Sequence, residues 1–455
     1  MTLTSALGRM ASTLRYDDVP AEATRIAKTG IADCFAVIVA GMAEPAAQSL
    51  RATLATLGGP QEARVGYTQE RMPAPHAAWI NGTAGHVLDY DDVARGHPSV
   101  VIVPAVLAEA QVLNASGADI VTAYVVGYET WMELVTRERD NYQMKGWHPT
   151  PLIGALAAAA ACANLRGLDA RQATAALGIA AAQASGITGS YGTMAKAMQV
   201  GRAAHTGVLS ARLAANGLTA AVDVLDHERG FLSAISPSGN VDLQTPAQMG
   251  KRWHSEEQGL GIKRYPMCYC AHRAIDAMLG VIEKRPLAID EIAGVEVMLG
   301  RIQATTLKNH RPATGLDAIF SLEFAMAAAL VAGNVGLREV SDDFVRRADV
   351  QALIGRVTVV SNEDYDPEWP SMSRYDQVRI RLKGGESIES EKVHRALGDA
   401  SRPLSPDDLR QKFFDCFAAG QSAIDATRLL ADLQRIESLP SCRVLFEQSR
   451  VPIAA

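Results

Sequence analysis

A chain of 455 residues exceeds what one hydrophobic core usually organises, so two domains are expected. With 48% apolar and 21% charged residues it has the composition of a folded globular protein. A net charge of −6 without a long basic cluster argues against a nucleic-acid partner, while a local basic pocket can still take a small anion.

The first stretch, MTLTSALGRMASTLRYDDVP, lacks the charged-then-apolar pattern of a signal peptide, and its apolar residues fall at helical spacing. Six cysteines over this length make no disulfide framework and fit a reducing cytoplasm. From residue 5 to about 217, Ala, Leu, Val and Met dominate, with Gly or Pro at the joints. The periodicity predicts helices over 21–42, 103–114, 120–137, 151–164, 170–185 and 201–216. No membrane span is expected, since the uncharged run 172–195 is laced with Gln, Ser, Thr and Gly, as in tightly packed soluble helices.

Two segments of this half share one device. In GHPSVVIVPAVLA and WHPTPLIGALAAAAACANL, His97 and His148 each precede a proline and a hydroxyl residue at the mouth of an apolar run. Proline is tolerated in a helix's first turn, so each histidine is expected at a helix N-terminus. The partial positive charge there favours neutral imidazole, which can act as a base. Just upstream of His97, HVLDYDDVARG crowds Asp89, Asp91 and Asp92 into four positions. They suit either the holding of a histidine tautomer and carriage of a proton, or helix capping in a solvated loop.

Further on, in SYGTMAKAMQVGRAAHTG, Gly189 and Gly192 break the helical pattern and Lys196 stands in an uncharged neighbourhood. Pairing an anionic substrate is the economical use of its ammonium, with Tyr191 and Thr193 as substrate contacts beside it. His205, on the following helix, reads as a packing residue.

After about residue 265 the texture changes. GVEVMLGRI (294–302), RVTVVSN (356–362) and QVRIRLKGGESIESEKV (377–393) alternate apolar and polar residues, the last around a Gly384-Gly385 turn, while LEFAMAAALVA (322–332) is helical. This predicts a smaller α+β domain with one antiparallel sheet over 266–396. It is inserted into a helical domain over 1–265 and 397–455, because SPDDLRQKFFDCFAAG is helical again with Ser405 as N-cap. The fold class is therefore mainly α. In RYPMCYCAHRAI, Cys268 and Cys270 precede His272, but the further ligands of a zinc site are missing and no metal is expected. No glycine-rich phosphate cradle is present either, so no nucleotide cofactor is expected.

In order, NGTAGHVLDYDD, GHPS with VPAVLAEA, GWHPT with its alanine-rich helix, GTMAKAMQVGRAA and KRYPMCYCAHRAIDA resemble the MmgE/PrpD family, as does SLEFAMAAALVAG (321–333). The family includes methylcitrate dehydratases, cis-aconitate decarboxylases and an iminodisuccinate epimerase. The resemblance implies a large all-helical domain, a smaller α+β lid, a homodimer, and a site between the domains that takes a small anionic carboxylate without metal or organic cofactor. By motif it implies that Asp89, His97, His148, Lys196 and Lys263 line that site, Lys263 on the resemblance alone. Two departures stand out. The decarboxylases carry a threonine where this chain has Val93 and a histidine where it has Cys268. The epimerase's WPSCYANH resembles YPMCYCAH here, so Cys268 and His272 match its cysteine and histidine as substrate contacts.

All these reactions labilise a bond next to a carboxylate. Removing an α-proton builds negative charge, so a fixed cation must lie where it develops, and Lys196 and Lys263 suit that role. His97 or His148 can take the proton, and the other histidine or one held by an aspartate can return one. The expected activity is that of a cofactor-independent carbon–oxygen lyase, a hydro-lyase of a hydroxylated di- or tricarboxylate, with His97, His148, Asp89 and Lys196 catalytic. Epimerisation of a substituted dicarboxylate is the alternative, and the departures at Val93 and Cys268 make decarboxylation the less expected reaction. A helical binding protein that has lost catalysis is disfavoured by the histidines and lysines kept in these motifs.

Overall fold

The computed structural model describes residues 1–248, 250–367, 369 and 371–447. The chain divides into two compact units, one comprising Met1–Val87, Asp91–Leu260 and the chain from Leu409 onward, the other Leu88–Tyr90 and Gly261–Asp408.

The larger unit is helical. Its main helices are α1 (Leu3–Thr13), α2 (Ala21–Gly41), α3 (Pro45–Ala55), α4 (Ala74–Val87), α5 (Ser99–Leu113), α6 (Gly117–Val135), α7 (Pro149–Leu165), α8 (Ala170–Ala181) and α9 (Met194–Ala215). A two-stranded antiparallel ribbon, β1 (Ala63–Arg64) and β2 (Arg71–Met72), precedes α4. Helix starts follow local chemistry: Ser116 and Asp119 cap α6 reciprocally, as Asp169 and Gln172 cap α8. Apolar residues surround α5 and α7 on all sides, and both helices are buried accordingly. Among the described residues, no single helix is long and apolar enough to cross a membrane.

Small residues let α9 lie against α4 and α7. A Cβ on Gly82 of α4 would come within 2.8 Å of the Gly201 Cα, and one on Gly201 within 2.1 Å of the Trp79 carbonyl oxygen. Helix α9 also starts at Met194, earlier than the predicted 201, because Ala195 to Met198 are good helix formers that continue straight out of the Gly192 turn. That extension puts Lys196 and Gln199 on a helix.

The smaller unit holds a four-stranded sheet of β3 (Ile292–Leu299), β4 (Val357–Ser361), β5 (Gln377–Leu382) and β6 (Ser387–Glu389) in the order β4-β3-β5-β6. The expected antiparallel sheet is corrected to a mixed one. β5 pairs antiparallel with β3 and β6, but β4 runs parallel to β3, with Val295 opposite Val357. The long helical connection between β3 and β4 permits that crossover, which a short turn could not. Gly385, at φ +89°, makes the β5–β6 turn. Ile275, Met278, Val297, Phe324 and Ile380 belong to the core between the sheet and helices His272–Lys284 and Leu322–Ala332.

Candidate functional site

In the larger unit the last turn of α4 carries His86, and the loop that follows brings an aspartate back to it. His86 Nδ1 lies 2.8 Å from Asp91 Oδ2, and both side chains are buried. The same carboxylate oxygen is 3.4 Å from His97 Nδ1. His97 Nδ1 also lies 2.7 Å from the Asp92 carbonyl oxygen. The His86 ring sits between its neighbours, 5.0 Å from the His97 ring and 5.8 Å from that of His148. Two imidazoles thus share the Asp91 carboxylate, and a third, His148, lies beside the first of them. His86, Asp91 and His97 also offer ligand atoms within 4.8 Å of one another and could hold a metal ion.

The adjacent aspartate has a different job. The Asp92 carboxyl accepts from the Ser99 backbone at the start of α5 and pairs with the Ser99 hydroxyl, which lies 2.6 Å from the Tyr124 hydroxyl. Burial pushes Asp92 well above the usual carboxylate range, against the pull of Ser99. Of the two readings of the cluster, histidine holder and helix cap, Asp91 takes the first and the Asp92 side chain the second.

His148 is the N-cap residue of α7, and its backbone N–H donates to the Gly186 carbonyl at 3.0 Å. Its side chain makes no cap hydrogen bond. Instead the ring stands edge-on to Tyr191 at 4.9 Å, and Nδ1 lies 2.7 Å from Gln199 Nε2. Lys196 is buried in the first turn of α9 with Nζ 5.7 Å from the Tyr191 ring, so its ammonium is held inside and does not snorkel outward. The Tyr191 hydroxyl accepts from Gln143 at 3.2 Å. Thr193 occupies the N-cap position of α9, exposed, with its hydroxyl donating to the Ser190 carbonyl at 2.7 Å. His205 packs against Trp79 and His76, 2.7 Å from Arg202 Nη1. Burial, reinforced by Arg202 and His76, pushes it down to about 3, as befits a neutral packing residue.

In the smaller unit Lys263, fully buried, donates to both the carbonyl oxygen and the carboxylate of Asp89. Asp89 has φ +48°, a left-handed conformation that aspartate tolerates better than most residues. The Cys268 thiol is lowered from its ordinary value first by a hydrogen bond from Cys270, whose own thiol is pushed up. His272 opens its helix with Nε2 3.2 Å from the Met267 carbonyl and its ring against Tyr265 and Tyr269.

The structure therefore groups His97, His148, Tyr191 and Lys196 in the larger unit, and pairs Asp89 with Lys263 in the smaller. Sequence reasoning passed over two residues that connect the first group. His86 leaves a weak trace, five positions before Asp91. Gln199 lies three positions after Lys196, which is one face of a helix.

Family comparisons match this chain at both ends. The MmgE/PrpD N-terminal domain matches residues 5–244 and the MmgE/PrpD C-terminal domain residues 265–434. The chain is similar to a cis-aconitate decarboxylase of Homo sapiens, 27% identical over 82% of this chain and 79% of that protein. A cis-aconitate decarboxylase of Aspergillus terreus is 28% identical over 90% of this chain and 88% of its own. One of Mus musculus is 28% identical over 84% and 80%.

Proposed function

The chain belongs to the MmgE/PrpD family, and from that premise we propose that it is a lyase that removes water from a hydroxylated di- or tricarboxylate by way of α-proton abstraction. The observation that carries this is the setting of His97. A backbone carbonyl can only accept, so the 2.7 Å contact to Asp92 O requires a proton on Nδ1 and leaves the Nε2 lone pair of neutral His97 as a base. The Asp91 carboxylate at 3.4 Å stabilises the imidazolium formed once that base has taken a proton.

In the dehydration His97 takes the α-proton. Charge spreads into the neighbouring carboxylate, where Lys196 offsets it. The electron pair then forms the alkene as the carbon–oxygen bond breaks, and the hydroxyl leaves with the abstracted proton as water. A second reading is favoured by the relatives, which are named cis-aconitate decarboxylases. There the carbon–carbon bond breaks, carbon dioxide leaves, and a histidine delivers a proton to the carbon left behind.

A panel of di- and tricarboxylates, followed by proton NMR in heavy water with and without chelator, tests both. Dehydration is expected to give an alkene from a hydroxy acid, and its reverse to place one solvent deuteron on the α-carbon. Release of carbon dioxide would establish the second reading, and an inverted product carrying one deuteron would mean epimerisation. Turnover with the α-hydrogen retained throughout would overturn the carbanion chemistry altogether.

A further inference from the structure

The contacts of Gln199 determine which nitrogen of His148 bears the proton. The Ile187 backbone N–H can only donate, so the Gln199 atom 3.0 Å from it is the amide oxygen. The Ile187 carbonyl can only accept, so the atom 3.2 Å from it is the amide nitrogen. One residue's backbone thus meets both ends of the amide and fixes its orientation. The segment that supplies this backbone is itself tied down: Ile187 bridges Trp147, and the Gly186 carbonyl accepts from the His148 N–H at 3.0 Å.

With its oxygen so assigned, the Gln199 amide points an N–H at His148 Nδ1, 2.7 Å away. An amide nitrogen has no lone pair to accept with, so Nδ1 must accept. Neutral His148 then carries its proton on Nε2. Protonation of Nδ1 would set two N–H groups against each other, so the imidazolium is disfavoured as well. His97 is held the opposite way, with Nδ1 protonated against a carbonyl. The two imidazoles therefore present opposite characters at Nε2, a lone pair on His97 and an N–H on His148.

Resting on the lyase reading above, we propose that Gln199 is a positioning residue that keeps His148 neutral as the Nε2–H tautomer. His148 then donates a hydrogen bond to the substrate oxygen on which negative charge develops and keeps its proton throughout, while His97 is the base. A neutral imidazole acting as a hydrogen-bond donor is an established catalytic device. Tyr191, edge-on to the same ring, and His86, 5.8 Å from it, complete its aromatic setting.

The test begins on the resting protein without substrate. Nitrogen NMR of protein labelled in its histidine rings, assigned by the signals lost in His148→Gln and His97→Gln, should show His148 protonated at Nε2 only and His97 at Nδ1 only at neutral pH. A His148 protonated at Nδ1, alone or as imidazolium, would overturn the proposal. Gln199→Glu places an acceptor where the donor was, so His148 should gain a proton at Nδ1. With substrate, turnover should fall about a hundred- to a thousandfold, with KM changed far less. Adding His148→Gln to Gln199→Glu should cost little more than His148→Gln alone, because both act through one ring. Additive losses, or full turnover in Gln199→Glu, would overturn it too. If the tautomers are as stated but no hydroxy acid is dehydrated, the lyase reading falls and the tautomer assignment stands.

Discussion

Lys263 donates to Asp89 twice, to the carbonyl oxygen at 2.7 Å and to the carboxylate at 2.6 Å, with its side chain fully out of solvent. Removing one partner of a buried pair leaves the other charge buried and uncompensated, which costs far more than the pair itself contributes. Lys263→Met should therefore lower the unfolding free energy by about 3–5 kcal/mol. Adding Asp89→Asn, which tolerates the same left-handed backbone, should restore much of that loss. Urea unfolding of both variants checks this, and an unchanged midpoint in Lys263→Met would contradict the buried pair.

Replacing His97 with glutamine should lower turnover by about two to four orders of magnitude, as for a lost proton-transfer group, and His148→Gln by about two to three, as for a lost hydrogen-bond donor to developing charge. Glutamine at 97 can still donate to the Asp92 carbonyl, so its melting temperature should barely move. On the proposed mechanism Lys196→Met should weaken binding and turnover together, its charge being used there before and during the transition state. Steady-state kinetics beside thermal melts separate the roles: a histidine variant that stays active but melts much earlier would make that residue a packing residue and nothing more.

Asp92 ties stability to pH in an unusual direction. Burial holds its carboxyl protonated far above the usual range, whereas in the unfolded chain it ionises near pH 4. Between those limits the unfolded state binds fewer protons, so stability falls as pH rises, by up to about 1.4 kcal/mol per pH unit from this group. Asp92→Asn has no proton to lose and keeps an acceptor for the Ser99 backbone. Its stability relative to the parent should rise from pH 5 to pH 8 in paired denaturant titrations. A constant difference would mean that Asp92 titrates alike in both states.

His205 acts at the other end of the scale. Its folded value of about 3 lies below the ordinary histidine value, so the unfolded chain takes up the proton first. The stability it contributes is whole above about pH 6.5 and is lost as pH falls toward 3. His205→Leu should thus be less sensitive to acid, gaining on the order of 3 kcal/mol over the parent at pH 4 relative to neutral pH. Acid unfolding followed by circular dichroism measures it, and parallel acid limbs would refute it.

Much of this was readable in the chain because helix starts leave local signatures. Proline after His148 and Ser99 after Pro98 announced α7 and α5, and alternating Val295, Val297 and Leu299 announced β3. Strand direction was not readable, since the parallel pairing of β3 with β4 depends on a distant crossover and not on the strands' own residues. The same holds for the site. His97, His148 and Lys196 could be picked out by unusual neighbours, but the duties of Asp91 and Asp92 depend on which way a loop turns. Gln199 looked like any helix-surface residue until the backbone of Ile187 was seen to meet it.

The contact of Gly82 with Gly201 is a fulcrum. His86 lies one turn beyond it on α4, and Lys196 and Gln199 lie within two turns of it on α9, so the separation of the two helices there sets the spacing of these groups. A single methyl group at either glycine would wedge the lever arms apart by an ångström or so without touching an imidazole. Displacements of about that size are enough to cost a hundredfold in rate. Sequence drift in this protein can therefore silence the proposed chemistry from two positions that carry no functional group at all.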